Sequence, residues 1–157
     1  MPYGNEQAPE GAPVPPQELI GASIFLGLVS VLSISRHGSY LISLGMGRSA
    51  LDLVALGLIA LNSVGFVGSL WLLALRRWAY ALCLGYAAVE VCLRAFHSFS
   101  DIVPGMLGKG DLQLLGGAGE LALAVVFLVV LAFLAGPETR AQLDAREAFR
   151  AAVAAKD

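Results

Sequence analysis

Apolar and polar positions divide the chain into four long apolar runs, 19–35, 51–75, 78–96 and 119–136, separated by short polar or glycine-rich stretches. A half-buried strand alternates with a period of two, and the helix of a soluble domain shows one apolar stripe. These runs are apolar on every face. A helix rises about 1.5 Å per residue, so about 20 apolar residues cross a hydrocarbon core about 30 Å thick. The second run exceeds that length, the third and fourth come close to it, and the first is near the lower limit for a span. The pattern predicts an all-α integral membrane protein, an up-down bundle of four transmembrane helices within 19–136. A disordered Pro-rich tail is expected over 1–18, and a short surface helix over 137–157.

The connections carry their own signals. Residues 36–50 read as a loop opened by Arg36 and His37, with 40–46 apolar enough to lie along the membrane interface. Ser49 and Asp52 read as an N-terminal capping pair for the second helix, a hydroxyl meeting free N–H groups and an acid in the first turn. The stretch 97–118 reads as a longer loop, broken by Pro104 and five glycines from Gly105 to Gly117. Glu120 then stands in the first turn of the fourth helix, where the dipole favours an acid. Gly136 followed by Pro137 is a stop and a restart.

Inside the runs, Ser23 with Gly27 and Gly65 with Ser69 have the spacing of small residues that lets helices approach closely in lipid. Asn62 lies mid-span and needs a partner on another helix. Cys83 and Cys92 share one span nine positions apart, on opposite sides of a helix, so they read as packing residues and not as a disulfide.

Residues 1–18 hold five of the seven prolines, three acids and no Lys or Arg. Such a segment cannot bury enough apolar surface to order itself, and it lacks the basic start of a signal peptide. Its Pro-Val-Pro-Pro run, 13–16, reads either as part of a plain flexible tail or as a polyproline II docking motif. At the other end, Arg140–Asp144 and Glu147–Arg150 have the spacing of helix-surface ion pairs, and Ala145, Phe149 and Val153 fall on one face. That helix is expected either to be solvated or to rest on the bilayer or a partner.

Composition agrees with the pattern. Hydrophobic residues make up 57% of the 157 residues and charged ones 14%, against about 25% charged in an ordinary soluble domain. The formal net charge of -2 offers no electrostatic footprint for nucleic acid. The Arg76–Arg77 pair, flanked by Trp71 and Trp78, reads as an interfacial anchor on the cytoplasmic face. Both termini then lie in the cytoplasm, with six Lys and Arg residues on that side and four on the other.

Few residues offer chemistry. Glu90 lies about twelve residues into the third run, with Arg94 one turn beyond, and Ala79, Cys83, Ala87 and Glu90 form a stripe suited to a helix seam. A charge within a span is a functional hypothesis by default. Glu90, Arg94, Asn62 and His97 form the candidate intramembrane polar site, opposed by the simpler reading that Glu90 and Arg94 neutralise one another as an i,i+4 pair. A metal site drawing on His37, His97 and a carboxylate has no characteristic spacing to recommend it. GxSxG, HExxH and P-loop motifs are absent from the sequence, and the chain reads as a non-enzyme with no cofactor.

Leu70 to Ala79, LWLLALRRWA, resembles the basic turn of small bacterial four-helix membrane proteins of unknown function, in which a Leu-Trp end is followed by basic residues and a Trp-Ala start. Gly136 to Phe149 resembles their helical C-terminal ends. The resemblance implies a bacterial cytoplasmic membrane and no activity. The expected role is that of an accessory, scaffolding or assembly protein, its partners the lipid bilayer and either another membrane protein or a second copy. The alternative is a small oligomeric carrier using Glu90 with Arg94.

Overall fold

The computed structural model describes residues 14–44, 50–104, 106 and 111–155. The expectations placed on 1–13, 45–49, Gly105, Gly108, Lys109, Gly110 and Lys156 lie outside these residues. Among the described residues the chain is all-helical, in the order α1 (Gln17–Leu44), α2 (Ala50–Leu72), α3 (Arg77–Pro104), α4 (Asp111–Leu134) and α5 (Pro137–Ala154). The first four are long and apolar enough to cross a membrane.

Successive helices run antiparallel, as their contacts show. Ser23 of α1 donates to the carbonyl of Ser69 in α2, whereas Ser30, further along α1, lies near Gly65, which is earlier in α2. Gly68 of α2 faces Cys83 of α3, and the earlier Asn62 meets the later Tyr86. In the α3–α4 pair, Ser98 meets Gly117 and the earlier Arg94 meets the later Glu120.

The helices are longer than the apolar runs. Charged residues end a hydrophobic pattern without ending a helix, which takes Gly or Pro at a suitable place. So α1 continues through Arg36 and His37, where the imidazole Nδ1 lies 2.7 Å from the Ser33 carbonyl of the turn below. Likewise α3 runs past His97 to Pro104, and α4 begins at Asp111. The expected loops 36–50 and 97–118 are therefore largely helical. Gly117 in the latter serves packing: a Cβ there would come within 2.7 Å of Ile102 Cγ1 and 3.1 Å of the Ser98 carbonyl oxygen. Gln17 and Glu18, expected in the tail, open α1 directly after Pro15 and Pro16.

The two small-residue motifs meet each other. A Cβ on Gly27 would lie 3.0 Å from Ser69 Oγ, and one on Gly65 would meet the Tyr86 ring at 2.6 Å and Ser30 Oγ at 2.8 Å. Close approach of α1, α2 and α3 at this level depends on the missing side chains. The core is centred on Phe127 of α4, whose ring packs edge-on against Phe25 (5.2 Å between centroids) and Tyr86 (6.2 Å). The outer surfaces carry exposed apolar residues on every long helix, among them Leu32, Leu53, Phe99 and Val129.

At the opposite end from Gly117, α2 stops at Leu72 and a tight turn follows. Leu75 takes φ 51°, a left-handed conformation that costs a non-glycine residue about 1–2 kcal/mol, while its side chain is fully buried. The rings of Trp71 and Trp78 pack 5.8 Å apart across this turn. α5 starts at Pro137 and folds back over the turn. Leu143 joins the core, Arg77 pairs with Asp144 and with Glu147 (3.2 Å), and Arg150 donates to the carbonyls of Ala74 and Leu75. The docked face is therefore the one bearing Thr139, Leu143, Glu147 and Arg150 and not the Ala145–Phe149–Val153 face. Asp144 and Glu147 turn to Arg77 in place of Arg140 and Arg150, because a guanidinium on the neighbouring element reaches both at once. Burial against the turn, with Arg76 and Arg146 nearby, holds Arg150 below the ordinary arginine value.

Candidate functional site

Polar side chains from all four long helices converge at the end of the bundle away from the α2–α3 turn. They line a cavity of about 220 Å³: Ser33, Arg36 and His37 from α1, Leu58 and Asn62 from α2, Glu90, Leu93, Arg94, His97 and Asp101 from α3, and Glu120 from α4. Glu90 is thirteen residues from the start of α3, about 20 Å along its axis. The Ala79–Cys83–Ala87–Glu90 stripe is buried along its whole length, which fixes the carboxylate inside the bundle.

Arg94 is the hub. Its Nε lies 3.0 Å from Glu90 Oε2, one turn back on the same helix, and its Nη1 donates to Glu120 Oε2 on α4 at 2.9 Å. The Nε–H is not aimed along a hydrogen bond, so its contact with Glu90 is an ion pair at close range, whereas that with Glu120 is a charge-assisted hydrogen bond. The guanidinium carbon also sits 5.2 Å from the Phe127 ring centroid, on the apolar side of the site. One cation thus ties α3 to α4 while contacting two carboxylates.

A neutral network lies beside this trio, toward the core. Tyr86 Oη donates to Asn62 Oδ1 at 2.8 Å and accepts from Ser30 Oγ at 3.1 Å, and Asn62 Nδ2 donates to its own helix at Leu58 O (2.8 Å). Asn62, 1% exposed, therefore finds the cross-helix partner its mid-span position demands.

The structure brings Glu90, Arg94, Asn62 and His97 to one cavity. The expected i,i+4 pair between Glu90 and Arg94 is present. Arg76, Arg77, Trp71 and Trp78 lie at the other end, in or beside the turn, where Arg77 clasps α5. Glu120 is a correction: α4 starts at Asp111, so the residue stands well inside the helix and serves Arg94, not the helix N-terminus. Its pairing was hidden because the fourth apolar run begins only at the glycines, and the turns before them carry too few apolar residues to read as a span. Tyr86 was also missed, although it stands four residues before Glu90 and so shares its face. His37 and His97 line the same cavity from α1 and α3, but among the described residues no group of three or more His, Cys, Asp or Glu is placed to hold a metal.

Comparison of the chain with protein-family models, with curated proteins and with solved structures returned no match.

Proposed function

We propose that this chain is a multi-pass membrane protein in which α1–α4 cross the cytoplasmic membrane and both termini lie in the cytoplasm. Within it the chain acts as a non-enzymatic accessory or assembly protein through the outer faces of its spans. The observation that carries this reading is the disposition of the surface. Each long helix turns apolar residues outward, and α5, the one helix outside the spans among the described residues, is folded against its own bundle. Among the described residues, the apolar surface free for contact with another membrane protein then lies chiefly on the spans. The short Trp-flanked turn at Arg76–Arg77 supports the orientation, since basic residues concentrate on the cytoplasmic side and indoles sit at the interface.

Extraction of native membranes with alkaline carbonate tests the spanning claim, and release of the protein into the supernatant would refute it. Co-purification from native membranes in mild detergent, with a C-terminal tag, tests the accessory role. A stoichiometric membrane partner is the expected result, and recovery of a bare monomer would refute it. Recovery of a homo-oligomer alone would move the reading to a small carrier. The cavity shared by four helices supports that second possibility, since it supplies polar lining at the depth of the spans.

A further inference from the structure

We infer that Glu90, Arg94 and Glu120 form a proton-binding site, in which the two carboxyl groups share one proton as well as one guanidinium, and which exchanges that proton through the polar cavity. The inference goes beyond the accessory role and rests only on the reading that α1–α4 lie in lipid, which makes the surroundings of the trio poor in water.

The reasoning starts from charge. Both carboxylates ionised bring two negative charges, and Arg94 brings one positive, so the trio carries one uncompensated negative charge. Glu90 is 4% exposed, and the trio is closed on its inner side by Phe127 and the Tyr86–Asn62–Ser30 network. A lone charge in such a place is costly, and proteins meet the cost by neutralising the group. One proton on either carboxyl makes the trio neutral, leaves both contacts of Arg94 in place and adds an O–H donor.

Among the described residues, the other charged or titratable groups lining the site do not remove the imbalance. From α1 come Arg36 and His37, from α3 His97 and Asp101, from α2 only neutral Leu58 and Asn62, and from α4 Glu120 alone. Arg36 is solvent-exposed, and Asp101 stands two turns beyond Arg94 on α3, about 10 Å along the axis. These two carry opposite charges toward the open end, where water screens them. The imidazoles of His37 and His97, which line the same cavity, are the side chains suited to pass a proton between that end and the carboxyls. A metal cation is disfavoured as the compensating charge by the absence, among the described residues, of a suitable ligand group. The Oε2 atoms of Glu90 and Glu120 are also already turned to the guanidinium.

Infrared spectroscopy of the purified full-length protein in lipid tests this, because the carbonyl stretch of a protonated carboxyl is resolved from carboxylate and amide bands. The expected result at neutral pH is a protonated-carboxyl band of one group per chain that disappears at alkaline pH. Glu90→Gln and Glu120→Gln should each abolish that band completely, because the carboxylate that remains forms a neutral pair with Arg94. Arg94→Gln should about double it. Absence of the band from the unaltered protein overturns the proposal without need of any variant, and so does a band that survives in both glutamine variants. Circular dichroism and a monodisperse elution profile establish that a variant is folded. Carbonate extraction is scored separately: a protein that fails extraction and keeps the band loses the spanning reading, and one that passes and lacks the band loses the proton site.

Discussion

Arg94 of α3 donates from Nη1 to Glu120 of α4 at 2.9 Å while its Nε stays 3.0 Å from Glu90 of its own helix. The local pair costs little chain entropy because a helix brings i and i+4 together. The pair with Glu120 is different in kind, since it joins two helices at a partly buried level.

Removing the hub should therefore cost more than removing either spoke. Arg94→Ala leaves the buried Glu90 and the partly buried Glu120 without a counter-charge, and a loss of up to about 3–5 kcal/mol is expected, the range for breaking a buried ion pair from one side. Arg94→Lys should recover only part of it, because a point-like ammonium lacks the fork that serves two carboxylates. Equilibrium unfolding in mixed micelles measures both. A near-neutral Arg94→Ala would show that the pairs are incidental.

Tyr86→Phe deletes one hydroxyl and strands two partners, Asn62 Oδ1 and Ser30 Oγ. The expected loss is about 1–3 kcal/mol for leaving buried polar groups unsatisfied. Tyr86→Phe combined with Asn62→Leu should cost less than the sum of the single changes, which a double-mutant cycle reads directly.

Two glycines of α3 and α4 should respond with opposite sign. Gly117→Ala places a Cβ 3.1 Å from backbone atoms of both Ser98 and Ile102, and the helices must part to admit it, at about 1–3 kcal/mol. Gly85→Ala meets nothing within 4 Å and should stabilise α3 by up to about 1 kcal/mol through helix propensity. Thermal unfolding of the two variants in one detergent decides the matter, and equal effects would refute the close α3–α4 seam.

The clasp of α5 should depend on Leu143 more than on its ion pairs. Arg77 and Asp144 are 61% and 63% exposed, so Asp144→Ala is expected to cost under about 1 kcal/mol and to matter less in high salt. Leu143→Ala removes a buried core side chain at about 2–5 kcal/mol. Limited proteolysis should then cut α5 faster in Leu143→Ala than in Asp144→Ala. The reverse order would mean that charge holds the helix down.

By itself, the sequence determined the four apolar helices and their order, because length and hydropathy are local properties read residue by residue. It placed Glu90 on an interior stripe, required a partner for Asn62 and marked Gly27 and Gly65 as points of close approach, since helical periodicity turns position into direction. The tertiary structure decided which faces meet. Nothing local distinguishes the face of Thr139, Leu143 and Arg150 from that of Ala145 and Phe149; the core that receives Leu143, together with the carbonyls of Ala74 and Leu75 that receive Arg150, makes the first one dock. Nor did any run of residues join Glu120 to Arg94. That pair arises because Gly117 lets α4 lie close against α3, and because α4 begins eight residues earlier than its apolar pattern, so the acid faces a guanidinium and not a helix end.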